Sequence, residues 1–449
     1  MLTPDMARER AHDIVSRARA AGADAADAVL GASGSVEVSV RLGALEDVGR
    51  SEEEELGLRV FVGRRSASVS TSDLSSEAMD VLVERAVAMA REAPEDKWAG
   101  LAPEDRLLTG NIPHLDLHDG DEPSPASLKE AALAAEDAAR AVPGVTNSEG
   151  GGASASRMAW ALATSHGFAG AYQTTSHGIQ ASVLAGGGDA AMVRDYAYHA
   201  ARHIADLDAP DAIGRMAGER AVARVDPAKV ASGPMPVIFD PRVGSSLIGH
   251  LIGAIAGAAI ARGTSFLLGK LGEQIFADGI TITDDPHRPR GLRSRPFDGE
   301  GLSVSPTDIV RDGVLQTWLL ESASARQLGL EPTGHAVRGG SGAPGVGTSN
   351  TYLAPGKASR DDLFAGVMRG VYVTELIGMG VNGVTGDYSR GAAGFLIENG
   401  ELTRPVDEFT IAGNLTEMFL NLTAADDLAF RYATNVPTLR IDGMTVAGG

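Results

Sequence analysis

Apolar and polar positions follow two periodicities in the N-terminal part of the chain, one helical and one strand-like. Residues 4–20 have apolar positions at helical spacing, and Ala21-Gly22 is a stop signal. Alternation then predicts three strands, with Gly63-Arg64 as the turn between the second and third. These are VEVSVRLGALEDVGR, LGLRVFVG and RSASVSTS. Ser72-Asp73 caps a predicted helix, AMDVLVERAVAMAREA, and the acidic run Glu52–Glu55 is predicted as a solvated turn between the first two strands.

A second block of the same kind follows a loop rich in Pro and Asp over residues 95–125, which indicates a domain boundary. It begins with a predicted helix at about 126–141 and ends with a helix that reaches about Val225. Its three predicted strands are SRMAWALATSHG, FAGAYQTTSHG and IQASVLAGGG. Because strands and then a helix occur in the order of the first block, the pattern is compatible with an old internal duplication.

The pattern changes again from Pro236. PVIFD is predicted as a short buried strand that ends at Asp240, and LIGHLIGAIAGAAIARGTSF, Leu247–Phe266, as one helix. Asp312-Gly313 and Asn399-Gly400 are hairpin signals between strand patterns. A glycine-rich loop occupies residues 334–350.

These patterns predict an α+β protein with N-terminal strand-and-helix domains and a β-rich C-terminal domain that carries one or two packed helices. We place the boundaries at 1–105 for an N-terminal α+β domain, 106–226 for a central α+β domain and 227–449 for the β-rich domain. The length of 449 residues suits two to four domains.

Charge and composition narrow the range of functions. The formal net charge is −20, which argues against nucleic acids and anionic membranes as partners. There is no cysteine, so disulfides, thiolate nucleophiles and sulfur-ligated zinc are excluded. The N-terminus lacks the apolar segment of a signal peptide, and the longest apolar region, Leu247–Ile260, falls short of the ~20 residues of a spanning helix. We therefore expect a cytoplasmic protein.

Common catalytic motifs do not single out a site. GxSxG, Walker-type and HExxH motifs are absent from the sequence, and the glycine-rich loop lacks the Lys-Ser/Thr ending of a phosphate loop. TSHG occurs twice and places His166 and His177 eleven residues apart, where neighbouring hairpin turns could join them in a metal site. The same tetrapeptide is also ordinary turn chemistry.

The C-terminal half resembles the TldD/PmbA (TldE) family, and within it the PmbA (TldE) branch. The segments that carry the resemblance are SLIGHLIGAIAGAAIARGTSFLLGKLGEQIFADGITITDDP, RSRPFDGEGLSVSPTDIVRDGVLQTWLLESASARQLGL, TGHA, GVYVTELIGMGVNGVTGDYSRGAAGFLIENGEL and FTIAGNL. They cover about residues 227–446, and the resemblance extends more weakly through the N-terminal strands and helix.

The resemblance implies a metallopeptidase family in which TldD-type chains carry HExxxH on the corresponding helix and a cysteine near the C-terminus. There the two histidines and the cysteine bind zinc, and the glutamate is the general base. In this sequence Gly249 occupies the position of the first histidine, His250 that of the glutamate and Ala254 that of the second. We therefore expect no catalytic residue, no metal ligand and no cofactor in this chain.

Two stretches are candidates for substrate binding. His250 is either a hydrogen-bond donor to a substrate or partner, or a capping or core histidine. The small residues of its helix predict a packing face that closes the volume a metal would occupy. GDYSRG contributes Asp387, Ser389 and Arg390, predicted in a turn. Arg390 could bind a peptide carboxylate or pair with Asp387 to fix the loop, and edge-strand addition is the expected mode for an extended peptide.

The resemblance thus implies a non-catalytic subunit that pairs with a zinc-bearing TldD-like subunit, encloses a cavity and binds unfolded proteins or peptides for proteolysis. An alternative is an autonomous metal-dependent hydrolase that uses other ligands, such as His166, His177 or His335. Another is a non-enzymatic homodimer that binds peptides as a scaffold.

Overall fold

The fold is described from a computed structural model for residues 2–188, 192–340 and 342–448. The helices of these residues are α1 Pro4–Ala20, α2 Ser76–Glu92, α3 Pro125–Arg140, α4 Pro210–Ala223, α5 Pro241–Ala254, α6 Gly257–Arg262, α7 Ser322–Leu328, α8 Arg360–Ala365 and α9 Leu415–Leu420. The strands of the first half are β1 Ala25–Arg41, β2 Ala44–Val62, β3 Arg65–Thr71, β4 Val145–Thr164, β5 Ala169–Ala185 and β6 Val193–Ala201.

The strands of the second half are shorter on average. They are β7 Gly233–Phe239, β8 Ile282–Asp285, β9 Thr307–Arg311, β10 Val314–Leu315, β11 Ala336–Val337, β12 Gly345–Val346, β13 Asn350–Leu353, β14 Arg369–Ile377, β15 Asp387–Glu398, β16 Glu401–Asn414, β17 Leu422–Ala424, β18 Thr434–Asn435 and β19 Leu439–Ala447. The predicted α+β class is confirmed, with a β-rich second half.

A six-stranded antiparallel sheet in the order β3-β2-β1-β4-β5-β6 forms the first half. Helices α1 and α2 bury their apolar faces at one end of the sheet, and α3 and α4 at the other. The order helix, three strands, helix occurs twice and the central pair is β1–β4, so the repeat suggested by the sequence is present in the topology. This one sheet takes strands from both of the predicted domains 1–105 and 106–226.

Several local predictions in this half are wrong because strands extend through predicted turns. Glu52–Glu55 lie within β2, paired with residues 31–34 of β1, and the turn is at Leu42-Gly43. The second TSHG lies inside β5, where His177 pairs with Ala155 and Ala201. The long two-sided ladder satisfies backbone groups that isolated turns would expose, which outweighs local turn propensity.

In the second half, five strands close into a ring. The order is β16-β15-β14-β7-β19, and β19 also pairs with β16; β17 adds to β19. Only β7 and β14 run parallel among these pairs. A second sheet has the order β10-β9-β8-β13-β18. Both predicted hairpins are confirmed, since Asp312-Gly313 and Asn399-Gly400 have the positive φ angles that such turns require.

Buried ion pairs and aromatic rings join the two halves. Asp27 of β1 accepts hydrogen bonds from Arg59 of β2 and from Arg338 of the glycine-rich loop. Phe297 packs against Trp160 of β4 and against Phe168 in the β4–β5 turn, with ring centroids 5.7 and 4.9 Å apart. The glycine-rich loop is thus an interface segment within the chain, although its residue 341 lies outside the described residues.

The predicted helix 247–266 is in fact two helices with a break between them. Leu319 donates from its N–H to the Ile255 carbonyl and accepts from the Gly257 N–H, so backbone pairing with a neighbouring segment interrupts the helical ladder at Ala256. Gly257 allows the close approach, because a Cβ there would overlap the Ser324 hydroxyl. Across the described residues, no helix combines the length and apolar character needed to cross a membrane.

Candidate functional site

Helix α5 presents the residues singled out by the sequence at its C-terminal end. Asp240 caps the N-terminus by accepting from the Arg242 N–H at 2.8 Å, and Pro241 occupies the first turn. The apolar face, with Leu247, Ile248 and Leu251, is buried in the main core of the second half. This anchoring fixes the direction of the opposite face, which carries Gly249 and His250.

The small residues of α5 leave space rather than closing it. A Cβ added at Gly249 or at Gly253 would meet no heavy atom within 4 Å. We expected the small residues of this helix to close the volume that a metal would occupy, and this expectation is wrong at these two positions. Ala254 is buried, and its carbonyl accepts a hydrogen bond from the Ser265 hydroxyl at 2.6 Å.

His250 lies against Tyr388 of β15. The ring centroids are 5.9 Å apart at an interplanar angle of 78°, an edge-to-face contact. His250 Nε2 and the Tyr388 hydroxyl are both buried, and among the described residues neither has a hydrogen-bond partner. Buried polar atoms without partners are rare and costly, so this pair is an exception within the fold.

GDYSRG lies in a strand and not in the predicted turn. Asp387 opens β15, and the side chains then alternate: Asp387 and Ser389 are exposed, whereas Tyr388 and Arg390 are buried. This two-residue period explains why Tyr388, which was not predicted as a site residue, faces His250. The aromatic residue between the charged ones was the available signal.

Asp387 and Arg390 do not form the ion pair with each other that the sequence analysis considered. Asp387 accepts from the Thr385 hydroxyl at 2.6 Å and from Asn414 Nδ2 at 3.2 Å. Arg390 Nε donates to the Ile377 carbonyl at 3.3 Å. Among the described residues, no carboxylate oxygen lies within 4 Å of the Arg390 guanidinium, so its charge is available to a bound group.

Two clefts flank this cluster. One, of about 590 Å³, is lined by the segment 379–383 and the start of β15. The other, of about 280 Å³, is lined by Ser246 of α5, Thr374 of β14 and Arg390, together with residues of β6. The Thr374 hydroxyl is a further buried group without a partner in the described chain. The first residues of β15 are paired with β16 and contact segment 380–382, so they offer no free edge for an added strand.

Burial sets the protonation states in the cluster. It lowers the pKa of His250, and the positive charge of Arg390 adds to the effect. The imidazole is thus neutral at pH 7 and carries one N–H donor and one acceptor nitrogen. Burial also raises the pKa of Tyr388 far above its ordinary value, so its hydroxyl keeps its proton.

The residues at this site do not suit a zinc ion. One imidazole beside a guanidinium offers a single nitrogen ligand next to a positive charge, whereas catalytic zinc takes about three protein ligands. Gly249 and Ala254 have no ligating atoms in their side chains. Across the residues that the structure describes, no group of three or more His, Asp or Glu side chains is placed to hold a metal ion.

The other histidines considered as ligands lie apart. His166 is in the turn after β4 and contacts the Thr164 hydroxyl and the Ala102 carbonyl. His177 lies eight residues into β5, roughly 27 Å further along the strand. Its neighbour is Asp119, with the His177 Nε2 3.4 Å from a carboxylate oxygen. A joint metal site of His166 and His177 is excluded by this separation.

His335 contacts Thr333 and Asp284 in the second half of the chain.

Family models match three successive segments of the chain. Residues 26–90 match domain 1, residues 118–225 the central domain and residues 232–448 the C-terminal domain of the PmbA/TldA metallopeptidases. The last segment contains α5, the β14–β15 connection and the whole ring of strands.

Relatives of full length are similar as well. The metalloprotease PmbA of Escherichia coli O157:H7 is 40% identical over 428 residues, which is 95% of this chain and 92% of that protein. A metalloprotease PmbA homolog of Haemophilus influenzae is 37% identical over 97% of this chain and 94% of its own length. A crystal structure from Bacteroides thetaiotaomicron, described as that of a proposed modulator of DNA gyrase, superposes with a TM-score of 0.92 at 29% identity and covers both chains completely.

Proposed function

The chain belongs to the PmbA/TldD metallopeptidase family, and on this premise we propose that it is a TldE/PmbA-like subunit without a catalytic zinc. In this proposal it pairs with a TldD-like subunit that holds the zinc, and the two enclose a cavity in which unfolded proteins or peptides are cleaved. This chain contributes binding surface. Homologues named metalloproteases support the link to proteolysis.

One observation carries the proposal. The end of α5 presents His250 Nε2 and the Tyr388 hydroxyl, both buried and without hydrogen-bond partners among the described residues, beside the Arg390 guanidinium, which no described carboxylate oxygen approaches within 4 Å. Such a set can bind the polar groups of a peptide, whereas it cannot hold a divalent cation or generate hydroxide. The space beside Gly249 supports binding rather than internal packing.

Each group has a defined role in this proposal. The Tyr388 hydroxyl donates to a peptide carbonyl, because its proton is retained at neutral pH. His250 donates or accepts at Nε2 according to its tautomer. Arg390 binds a carbonyl or carboxylate oxygen of the peptide. These contacts orient the bound peptide, and its hydrolysis occurs on the partner subunit.

The proposal is tested by reconstitution. The purified chain, a TldD-like partner and their mixture are assayed on a denatured protein and a fluorogenic peptide, with chain association followed by light scattering. We expect cleavage by the mixture, none by this chain alone, and loss of activity when a chelator treats the partner before mixing. Chelator-sensitive cleavage by this chain alone would establish an autonomous hydrolase instead. A stable homodimer that binds peptide without joining the partner would establish a scaffold.

A further inference from the structure

A separate cleft opens where α4 and β6 of the first half meet the β7–α5 connection, α8 and the segment 427–438. Its volume is about 270 Å³, near the lower end for small-molecule sites. Its lining combines arginine and tyrosine side chains from both halves of the chain. They include Tyr198, Arg220, Arg360, Tyr372, Arg431 and Tyr432.

The carboxylates in this cleft are already engaged. Asp240 accepts from the Arg242 N–H at 2.8 Å and from the Tyr372 hydroxyl at 2.5 Å. Asp427 accepts from the N–H and the hydroxyl of Thr438, at 2.8 and 2.7 Å. Each oxygen of the two side chains therefore has a donor within the chain, and these bonds hold the cleft in shape, while the two negative charges remain part of its lining.

Two of the cations are also engaged, by carboxylates outside the lining. Arg431 pairs with Asp208 at 2.5 Å, and Arg242 pairs with Asp195 at 2.8 Å. Asp195 is shared with Arg224, which also pairs with Glu375. These pairs leave no surplus negative charge to face the cleft from this side.

Arg220 and Arg360 have no such partner. Among the described residues, no carboxylate oxygen lies within 4 Å of either guanidinium, although the chain as a whole carries a net charge of −20. Arg220 donates through Nη1 to the Tyr196 carbonyl at 3.1 Å. Arg360 lies over the rings of Phe364 and Tyr372, 5.4 and 5.2 Å from their centroids, a contact that leaves its N–H groups free. Burial, together with the nearby charge of Arg242, lowers the pKa of Arg220.

We infer that this cleft binds a small carboxylate ligand whose carboxylate contacts Arg220 and Arg360, and whose apolar or aromatic part packs against the tyrosines. A planar guanidinium fits a carboxylate with two parallel hydrogen bonds. The presence of Asp240 and Asp427 in the lining disfavours a doubly charged phosphate. Either the C-terminal residue of a peptide or a free aromatic acid supplies this chemistry.

The inference is independent of the proposed function. The cleft meets the N-terminal end of α5, and His250 lies nine residues along the helix from Pro241, roughly 13 Å away. A chain that fails to join a TldD-like partner can still bind the carboxylate. A chain that supports proteolysis can equally lack this binding.

Calorimetric titration of the full chain tests the inferred carboxylate site with four probes. They are N-acetylphenylalanine, its amide, phenyl phosphate and the tripeptide acetyl-Ala-Ala-Phe with a free carboxylate. We expect the acid to bind with a Kd below about 1 mM and the amide at least tenfold more weakly. Tighter binding of the tripeptide than of N-acetylphenylalanine would identify a peptide C-terminus as the source of the carboxylate. Equal binding of acid and amide, or tighter binding of phenyl phosphate, would overturn the inference.

Variants locate the bound carboxylate. Arg360→Gln and Arg220→Gln are each expected to weaken binding of the acid about tenfold or more, because each removes a charge-assisted hydrogen bond. Arg360 is exposed, so its replacement leaves the core intact. Arg215→Gln is the matched control, since Arg215 is on the same helix α4 but pairs with Asp211 at the surface. Unchanged affinity in Arg360→Gln would show that the carboxylate binds elsewhere.

Discussion

The hydroxyl of Tyr388 and the Nε2 of His250 belong to two rings in edge-to-face contact, 5.9 Å between centroids, and both atoms are buried without a partner among the described residues. The contact joins the end of α5 to the start of β15. It brings together one residue that the sequence singled out and one that it did not. Because unpaired buried groups destabilise a fold, their presence at one place points to a role in binding.

Tyr388→Phe separates the requirements of folding from those of binding. Removal of a buried hydroxyl without a partner relieves its desolvation cost, so we expect the free energy of unfolding to stay equal or rise by about 1–2 kcal/mol. Proteolysis by the reconstituted pair is expected to fall. Denaturant unfolding and the peptide assay measure the two effects.

Tyr372→Phe is the matched control for stability. Its hydroxyl donates to Asp240 at 2.5 Å, so we expect its loss to lower the free energy of unfolding by about 1–3 kcal/mol. If Tyr388→Phe instead destabilises the chain as much as Tyr372→Phe does, the Tyr388 hydroxyl has a structural partner and the binding interpretation loses its main support.

His250→Phe tests the other half of the pair. Phenylalanine keeps an aromatic ring against Tyr388 but removes the nitrogen atoms. We expect kcat/KM of the reconstituted pair to fall about two- to tenfold, as for the loss of one hydrogen bond, with assembly unchanged. Peptide titration measures kcat/KM, and light scattering measures assembly. An unaltered rate at limiting peptide would assign His250 to the core.

Two glycines of one sequence stretch are expected to respond oppositely to a methyl group. At Gly249 the added Cβ meets open space, and helix propensity predicts a gain of about 0.5–1 kcal/mol in the free energy of unfolding. At Gly257 it would overlap the Ser324 hydroxyl and lie 2.8 Å from Leu320 Cδ2, so Gly257→Ala is expected to lose about 1–3 kcal/mol. Thermal unfolding of both variants compares the two effects, and equal stabilities would contradict the close packing around Gly257.

A buried carboxyl at the junction of the two halves predicts a pH dependence. Burial raises the pKa of Glu300 to about 7, and Asp298 adds to the effect. Since this value exceeds that of the unfolded chain, the protonated carboxyl favours folding below about pH 4.5, and this contribution is lost as the pH rises through 7. The shift corresponds to at most about 3 kcal/mol.

Glu300→Gln keeps an acceptor for the Ser322 N–H and hydroxyl, which contact Glu300 at 2.8 and 2.7 Å, but cannot ionise. We expect it to be more stable than the natural chain at pH 8 and about equal at pH 5, as measured by denaturant unfolding. Glu219→Gln, at an exposed position, should show no such difference. Parallel stability curves for Glu300→Gln and the natural chain would show that Glu300 ionises freely.

Local patterns predicted much of the fold, and pairing between distant segments decided the rest. Helix α1, strand β7 and both Asx-Gly hairpins follow from spacing, caps and turn chemistry that lie within a few residues of each other. The break at Ala256 and the strand at Glu52–Glu55 depend on partners that are distant in sequence, Leu319 and β1. The resemblance located α5 and GDYSRG, but the orientation of Tyr388 required the register of β15.

Zinc content and peptidase activity, measured on the same protein samples, decide which subunit carries the catalytic metal. This chain and a TldD-like partner are purified separately, analysed for zinc, and assayed for peptide cleavage alone and combined. We expect less than about 0.1 zinc per copy of this chain and cleavage only when the zinc-loaded partner is present. Stoichiometric zinc in this chain, with cleavage by it alone that a chelator abolishes, would show instead that this chain is itself the metallopeptidase.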